Sequence, residues 1–140
     1  MRTMVVLLAL AVALPCAAAM SQQQTVADGV YTSVQAARGK REYAVFCESC
    51  HADDLSGTNS GDSGAPPLRR DGFMDGSNVN ALFTKISQTM PFEAPGSLTP
   101  QEYIDIVAFI FQENGFPPGD EALGVDPAVL RNIRIVRKSD

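Results

Sequence analysis

The side chains that could do chemistry are concentrated in one short stretch of the chain, Cys47-Glu48-Ser49-Cys50-His51. The sequence of 140 residues has only three cysteines and one histidine, so this stretch contains two of the three thiols and the single imidazole. The remaining thiol, Cys16, lies in an apolar N-terminal region. Any site that needs sulfur or imidazole ligands is therefore expected around residues 47–51.

The spacing of these residues is C-x-x-C-H, which is typical of c-type haem attachment. Positions three apart at a helix end lie on the same side, so both thiols can add to the vinyl groups of one haem. The residue that follows then offers its imidazole to the iron as the proximal ligand. The sequence thus predicts one haem c, attached through thioethers at Cys47 and Cys50, with His51 on the iron.

Three other interpretations of the motif are weaker. A zinc site needs further ligands, usually a second Cys/His pair, and the sequence has none. A thioredoxin-type redox motif needs a preceding strand, whereas residues 36–46 are typical of a helix. A disulfide between Cys47 and Cys50 would close a very short loop and add little stability.

A second axial ligand is expected, because a haem that carries electrons usually has two, and methionine is common opposite histidine. Met90 follows a predicted helix, and Pro91 ends that helix and fixes the direction of the next loop. Met74 and an open iron site are the alternatives, and the ordinary role of either methionine is to fill the core. We predict that His51 and Met90 are the two metal ligands.

The N-terminal residues predict export. Arg2 precedes an apolar run over residues 5–14, and the alanines at 17–19 follow as a cleavage site, which together predict a signal peptide over 1–19. The run is too short to cross a bilayer, which takes about 20 residues, so no transmembrane segment is expected after cleavage. Pro15 before Cys16 argues against lipid attachment at that cysteine. A periplasmic protein is expected.

Composition limits the class of partner. The formal net charge is −5, and losing Arg2 with the signal peptide makes it one unit more negative. Eleven Lys and Arg against sixteen Asp and Glu argue against nucleic acid, because phosphate contacts need clustered basic side chains. We expect a flexible segment over 20–30, one domain over 31–118 and a C-terminal extension over 119–140.

Periodicity and capping residues predict helices over 33–50, 78–88 and 100–114, and a short one from Asp126 to about 133. Thr32, Ser77 and Thr99 are the expected N-caps, the first and last of them in capping boxes with Gln35 and Glu102. The helix over 100–114 is expected to be the most buried. No strand is predicted, and the arginines near the C-terminus are interpreted as solvated surface.

Two features of these segments indicate that another element or a cofactor packs closely against them. Gly39 in mid-helix costs about 1 kcal/mol relative to alanine, which indicates a close backbone approach by another element. Residues 52–76 form one long glycine-rich loop, which a compact domain rarely contains. A haem accounts for the loop, because the chain can wrap around it and bury Leu55, Leu68 and Phe73.

The order of these features resembles class I cytochromes c over about residues 31–120. The resemblance implies an all-α fold in which three to four helices wrap around one covalently bound haem. It also implies that a proline carbonyl, here that of Pro66 or Pro67 before Leu68, accepts a hydrogen bond from His51 and makes the imidazole a stronger donor. Phe73 takes the place of a tryptophan that is common in relatives.

The same resemblance implies that the first and last helices of the domain cross at a glycine and an aromatic residue. Gly39 and Tyr43 match on the first helix, and Phe109 matches on the last.

A narrower resemblance is carried by MPFEAPGSL at residues 90–98 and NGFP at 114–117. These strings resemble cytochrome domains associated with periplasmic pyrroloquinoline-quinone-dependent alcohol dehydrogenases. The resemblance implies a one-electron carrier, not an enzyme, that links a dehydrogenase-type donor to a terminal oxidase or another cytochrome. Two alternatives remain open: a haem subunit permanently docked on such a dehydrogenase, and a sensor or peroxidase with an open iron site.

Overall fold

The computed structural model describes residues 23–58 and 64–137, so the predicted signal peptide and Cys16 lie outside the described residues. The described residues contain no extended sheet, and none of their helices is long and apolar enough to cross a membrane. The predicted all-α fold is confirmed. The elements are a 3-10 helix at Val26–Asp28, α1 at Ser33–Phe46, α2 at Glu48–His51, α3 at Val79–Thr89, α4 at Pro100–Glu113 and α5 at Pro127–Arg131.

The crossing of α1 and α4 is the largest helix contact in the described part of the chain. A Cβ atom added at Gly39 would overlap the carbonyl of Asp105 on α4, so only glycine allows this approach. Four residues further along α1, the rings of Tyr43 and Phe109 pack with centroids 5.2 Å apart. The predicted close approach at Gly39 and its aromatic partners are therefore confirmed.

A buried polar cluster holds the same crossing in register. The Asp105 carboxylate accepts hydrogen bonds from Arg38 Nε at 2.7 Å, Gln35 Nε2 at 3.0 Å and Gln101 Nε2 at 2.7 Å. Gln35 also exchanges hydrogen bonds with the backbone of Leu123. Its side chain therefore joins α1 to the C-terminal extension and takes no part in the predicted capping box, although Thr32 still caps the helix.

Helix α4 is the centre of the core. Thr99 and Glu102 form the predicted capping box, in which the Thr99 N–H donates to Glu102 at 2.6 Å. Every residue from 103 to 111 is buried, as expected for a helix that is apolar on most sides. The element with the strongest sequence signals is thus the one against which α1 and α3 pack.

Helix boundaries differ from the sequence prediction at three points. Helix α1 ends at Phe46, because Cys47 leaves the helical conformation, and α2 starts a separate turn at Glu48. Asn78, not Ser77, caps α3 by accepting from the Ala81 N–H at 2.9 Å. Helix α5 stops at Arg131, because the backbone of residues 133–135 pairs with residues 76–79 and does not continue the helix.

The two ends of the described chain are folded onto the domain. Residues 23–30, interpreted from the sequence as flexible, bury Val26, Ala27 and Val30, and the Val26 N–H donates to Arg134 O at 2.9 Å. We call residues 132–137 the C-terminal belt. Its backbone pairs with residues 77–79, through Ile135 N–H to Ser77 O at 2.9 Å and Val79 N–H to Ile133 O at 3.0 Å.

Two belt arginines do more than solvate the surface. Arg134 donates to Gly76 O at 2.7 Å. Arg137 donates to Asn114 O at 2.7 Å and lies over the Phe116 ring, 5.2 Å from its centroid. Both side chains remain at least partly exposed, as the sequence interpretation expected, and in addition both guanidinium groups bond to backbone carbonyls that end helices or turns.

Candidate functional site

A cavity of about 560 Å³ lies between the end of α1, α2, the loop over residues 64–76, α3 and α4. This volume falls within the range of pockets that hold small molecules and cofactors. All eight residues that the sequence predicts for cofactor binding line it: Cys47, Cys50, His51, Pro66, Pro67, Leu68, Phe73 and Met90. The fold therefore brings together residues separated by more than forty positions in the sequence.

His51 ends α2 and is almost completely buried. Its ring Nδ1 donates to the carbonyl oxygen of Pro66 at 2.9 Å, which leaves Nε2 as the ring nitrogen free to bind a ligand. Its backbone is fixed as well, since the N–H donates to Cys47 O at 2.9 Å and the carbonyl accepts from Gly57 N–H at 2.9 Å. Of the two prolines that the sequence offers, the structure thus selects Pro66.

The loop after His51 turns back sharply to reach Pro66. Ala52 and Leu55 both have left-handed φ values, 63° and 61°, which non-glycine residues adopt only where the surroundings hold them. Leu55 is fully buried and its carbonyl accepts from Leu68 N–H at 2.8 Å. Tyr43 secures the turn from α1 through its hydroxyl, which donates to Ala52 O at 2.7 Å. Packing and hydrogen bonds therefore hold the turn in a shape that its residue types do not favour.

Cys47 and Cys50 carry free thiols at the cavity, Cys47 partly buried and Cys50 exposed. Burial, with a smaller contribution from the nearby Cys50, raises the pKa of the Cys47 thiol to about 11. The thiol of Cys47 is therefore neutral near pH 7. Redox-active thiols of the C-x-x-C type have lowered pKa values, so this environment does not fit a thioredoxin-type role.

Met90 reaches the cavity from the end of α3. It is the C-cap of that helix, where its N–H donates to Ile86 O at 2.9 Å. Its carbonyl accepts a hydrogen bond from the buried hydroxyl of Tyr103 on α4 at 2.7 Å. Met74 also lines the cavity, from a turn in which its own φ is 54°. The structure thus places both methionines that the sequence singled out at the same cavity.

The apolar walls are residues that sequence reasoning did not assign to the site. Leu82 and Ile86 come from α3, and Ile106 and Ile110 come from α4. In each pair the spacing is i, i+4, which puts both side chains on one helix face. That spacing was visible in the sequence, but which face of the fully apolar α4 would meet the cavity was not.

The residues present fit a haem. They supply thiols at the C-x-x-C spacing, an imidazole held by one ring nitrogen, a thioether from a separate helix and apolar walls. Sulfur and imidazole are the ligand types that bind haem iron in electron-transfer proteins. Within residues 23–58 and 64–137, no three His, Cys, Asp or Glu side chains are grouped to hold a metal ion.

The chain is similar to known proteins in sequence profile and in structure. The profile of the family described as cytochrome c oxidase, cbb3-type, subunit III matches residues 34–110, more than half of the chain. No curated protein matches the sequence. A chain of the sulfane dehydrogenase SoxCD from Paracoccus pantotrophus has a similar fold, with a TM-score of 0.54 and 20% sequence identity. That similarity covers 89% of this chain and 66% of the SoxCD chain, a little under two thirds of it.

The matched region begins in α1, includes the C-x-x-C-H motif and Met90, and ends inside α4. It therefore covers the helix crossing and nearly the whole cavity. The family implies haem c as the cofactor and electron transfer as the role. The chain belongs to this family and is a class I c-type cytochrome, an electron-transfer haem protein.

Proposed function

We propose that the protein is a periplasmic mono-haem cytochrome c that carries single electrons from a dehydrogenase-type donor to a downstream acceptor. The observation that carries the proposal is the cavity where Cys47, Cys50, His51 and Met90 meet, with His51 oriented by Pro66. A terminal oxidase or another cytochrome is the acceptor that this role requires. The protein acts as a carrier and not as an enzyme.

Each of these residues has a separate task. Cys47 and Cys50 hold the haem through thioethers, and His51 binds the iron through Nε2. The hydrogen bond from Nδ1 to Pro66 fixes the ring and makes it a better donor. Met90 would supply its thioether to the iron, and the Tyr103 hydroxyl fixes the backbone from which that thioether extends. The bound haem supplies an iron that alternates between the ferrous and ferric states.

The cavity walls favour electron transfer over ligand chemistry. Leu82, Ile86, Ile106 and Ile110 exclude water from the space between the two ligands. With both axial positions filled by side chains on packed helices, little has to move when the iron changes charge. The sensor or peroxidase alternative needs an open position on the iron and is therefore tested directly by the ligand variants below.

The donor is proposed to be a dehydrogenase that contacts the open side of the cavity. Phe92, at the cavity mouth, is 82% exposed, an uncommon position for a large apolar side chain. The resemblance of residues 90–98 to cytochromes of quinoprotein alcohol dehydrogenases suggests that class of donor. Permanent docking on such an enzyme is the second candidate. A permanently docked subunit should co-purify with the enzyme at a salt concentration that dissociates weak complexes, whereas a mobile carrier should not.

Export is proposed from the sequence of residues 1–19. Expression of the full chain in a host with haem-attachment machinery should give a periplasmic protein whose N-terminus follows Ala19. Its mass should equal that of the mature polypeptide plus one haem, and the haem should remain bound in acid-acetone. A mass equal to that of the bare polypeptide would rule out covalent attachment.

The axial ligands are tested by a matched pair of variants. Met90→Ala should shift the ferric spectrum towards high spin, abolish the weak near-infrared thioether band and let cyanide or imidazole bind. Met74→Ala, at the other cavity methionine, should keep the band. The reverse result would place Met74 on the iron. Absence of the band in the wild-type protein would indicate an iron without methionine and would support the alternative of a sensor or peroxidase.

A further inference from the structure

Asn114, which follows the last residue of α4, is a polar side chain that the site described above does not use. It is only 4% exposed, although it lies at the end of a helix where exposure is usual. Its side-chain amide makes three hydrogen bonds. Nδ2 donates to Ile110 O at 2.8 Å and to Leu68 O at 2.8 Å, and Oδ1 accepts from Arg70 N–H at 3.2 Å.

Only the first of these bonds belongs to helix capping. The bond to Ile110 O adds to the one that the same carbonyl accepts from the Asn114 N–H at 3.0 Å, at the end of α4. The other two cross from α4 to the loop that lines the cavity, and they grip that loop on both sides of Arg69. Asn114 therefore fixes the backbone of residues 68–70 from the side of the protein core.

The same loop is fixed at its other end by the iron ligand. Pro66 O accepts the hydrogen bond from His51 Nδ1, and Leu68 N–H donates to Leu55 O at 2.8 Å. Between Pro66 and Leu68 stands Pro67, and two successive prolines restrict φ along this stretch. Fewer backbone rotations are therefore available to absorb a displacement of Leu68 before it reaches the Pro66 carbonyl.

The C-terminal belt holds Asn114 itself. Arg137 donates from Nη2 to Asn114 O at 2.7 Å and its guanidinium lies over Phe116, two residues beyond. The continuous path thus runs from the belt through Asn114 and the backbone of residues 66–68 to the ring of His51.

We infer that Asn114 is a positioning residue for His51: it holds the Pro66 carbonyl where that carbonyl orients and polarises the imidazole. The inference rests on the proposed function, because it assigns Asn114 a task in tuning the haem iron. A more firmly held carbonyl makes the imidazole a stronger donor, which stabilises the ferric state. Loss of Asn114 is expected to weaken that donor and raise the reduction potential.

The test compares Asn114→Ala with Asn132→Ala in the holoprotein. Asn132 is a matched control, because it caps α5 and donates from Nδ2 to the carbonyl four residues earlier, Ala128 O, at 2.9 Å. Asn132 is exposed, and it makes no bond to the cavity loop among the described residues. Both substitutions remove a C-cap side chain, so both lower stability, whereas only Asn114→Ala disturbs the loop.

Two measurements report on His51 and not on global stability. The first is exchange of the His51 Nδ1–H proton with solvent, followed by NMR in the ferrous state well below the unfolding temperature. It should become about tenfold faster in Asn114→Ala, and stay unchanged in Asn132→Ala. The second is the reduction potential, which should rise in Asn114→Ala only. An unchanged exchange rate, or a potential that falls because water enters the cavity, would overturn the inference.

A second variant covers the case in which Asn114→Ala fails to fold. Asn114→Asp has the same shape and still accepts from Arg70 N–H, but it cannot donate to Leu68 O. It should show the same faster exchange of the His51 Nδ1–H proton, and an unchanged rate would overturn the inference equally. The potential is compared only for Asn114→Ala, because a buried carboxylate itself stabilises the ferric state. Failure of the proposed function is a different result: His51→Ala would then keep a normal low-spin spectrum, or wild-type protein would contain no covalent haem.

Discussion

The helix crossing at Gly39 and the C-terminal belt both support walls of the cavity, but they do so by different means. At the crossing, the backbone of α1 lies directly against that of α4, beside the Tyr43 and Phe109 rings and the hydrogen bonds to Asp105. In the belt, backbone groups of residues 132–137 bond to residues 76–79, and Arg134 and Arg137 donate to Gly76 O and Asn114 O. Close backbone approach sets the shape of one wall, and hydrogen bonds hold the other.

This difference predicts how each region tolerates change. A wall set by shape has no room for added atoms, because interiors are packed as densely as crystals. A wall set by hydrogen bonds tolerates changes in side-chain volume at its exposed positions, but depends on each donor and on the few buried side chains that anchor it. Four substitutions test the comparison, in order of decreasing effect.

The largest effect is expected at the crossing. Gly39→Leu adds a side chain where even a Cβ overlaps the Asp105 carbonyl, so the two helices must separate and the protein should lose about 3 kcal/mol or more of stability. Chemical denaturation of the holoprotein measures this. Gly124→Leu is the control, since nothing lies within 4 Å of a Cβ there, and it should change stability by less than about 0.5 kcal/mol. Equal effects would mean that α1 and α4 are not in backbone contact.

The second effect tests the anchor of the belt. Ile135 is fully buried, and Ile135→Ala should cost about 2–3 kcal/mol through lost burial and the cavity left behind. Val129→Ala on α5, where the side chain is about half exposed, should cost much less. If the Ile135 variant unfolds at the same denaturant concentration as wild type, the belt is not a stable part of the fold.

The third effect tests a single belt donor. Arg137→Gln removes the guanidinium from the Asn114 carbonyl and from the Phe116 ring, and should cost about 1 kcal/mol. Arg131→Gln, an exposed arginine in the last turn of α5, serves as the matched charge control. A loss of similar size in both variants would attribute the effect to net charge and not to the two contacts of Arg137.

The smallest effect separates the two regions by pH. Glu102 accepts hydrogen bonds from the backbone and side chain of Thr99, which lowers the pKa of its carboxyl below the ordinary 4.5. A lowered pKa means that this cap of α4 contributes its stability above pH 4.5 and loses it as the pH falls through the folded value. The belt arginines stay charged throughout this range. Glu102→Gln should therefore flatten the acid side of the stability curve, and an unchanged acid midpoint would contradict the capping box.

Much of the crossing and of the candidate site could be predicted from the sequence, because local signals specify them. Thr99, Pro100 and Glu102 mark the start of α4 within four residues, and Gly39 in mid-helix marks a close approach. The C-x-x-C-H motif specifies chemistry through spacing alone. The glycine-rich loop does line the cavity. Leu55 and Phe73 are buried as expected, whereas Leu68 lines the cavity but is only partly buried.

The belt could not be predicted in the same way, because its partners lie far away in sequence. Arg134 bonds to Gly76 and Arg137 bonds to Asn114, and nothing in a run of scattered arginines distinguishes such donors from solvated charges. The same limitation hid Asn114, which in the sequence is only a residue before a helix-ending glycine. The break in the helix at Cys47 was also missed. The Cys47 N–H still donates to the Tyr43 carbonyl, four residues earlier, so the helical pattern continues up to the residue where the helix ends.

The pairing of Thr25 with Arg134 has a consequence for the order in which the molecule assembles. The first described residues find their partner only among the last, and α1 finds its own in α4, so the native contacts of the N-terminal third have high sequence separation. Such contacts form late, because the intervening chain must be present before its ends can meet. A chain delivered from its N-terminus therefore presents Cys47 and Cys50 on an unclosed surface, with Ile106, Ile110 and the belt still to come. Both thiols are therefore accessible before the fold closes, and covalent attachment as proposed above would take place in this interval.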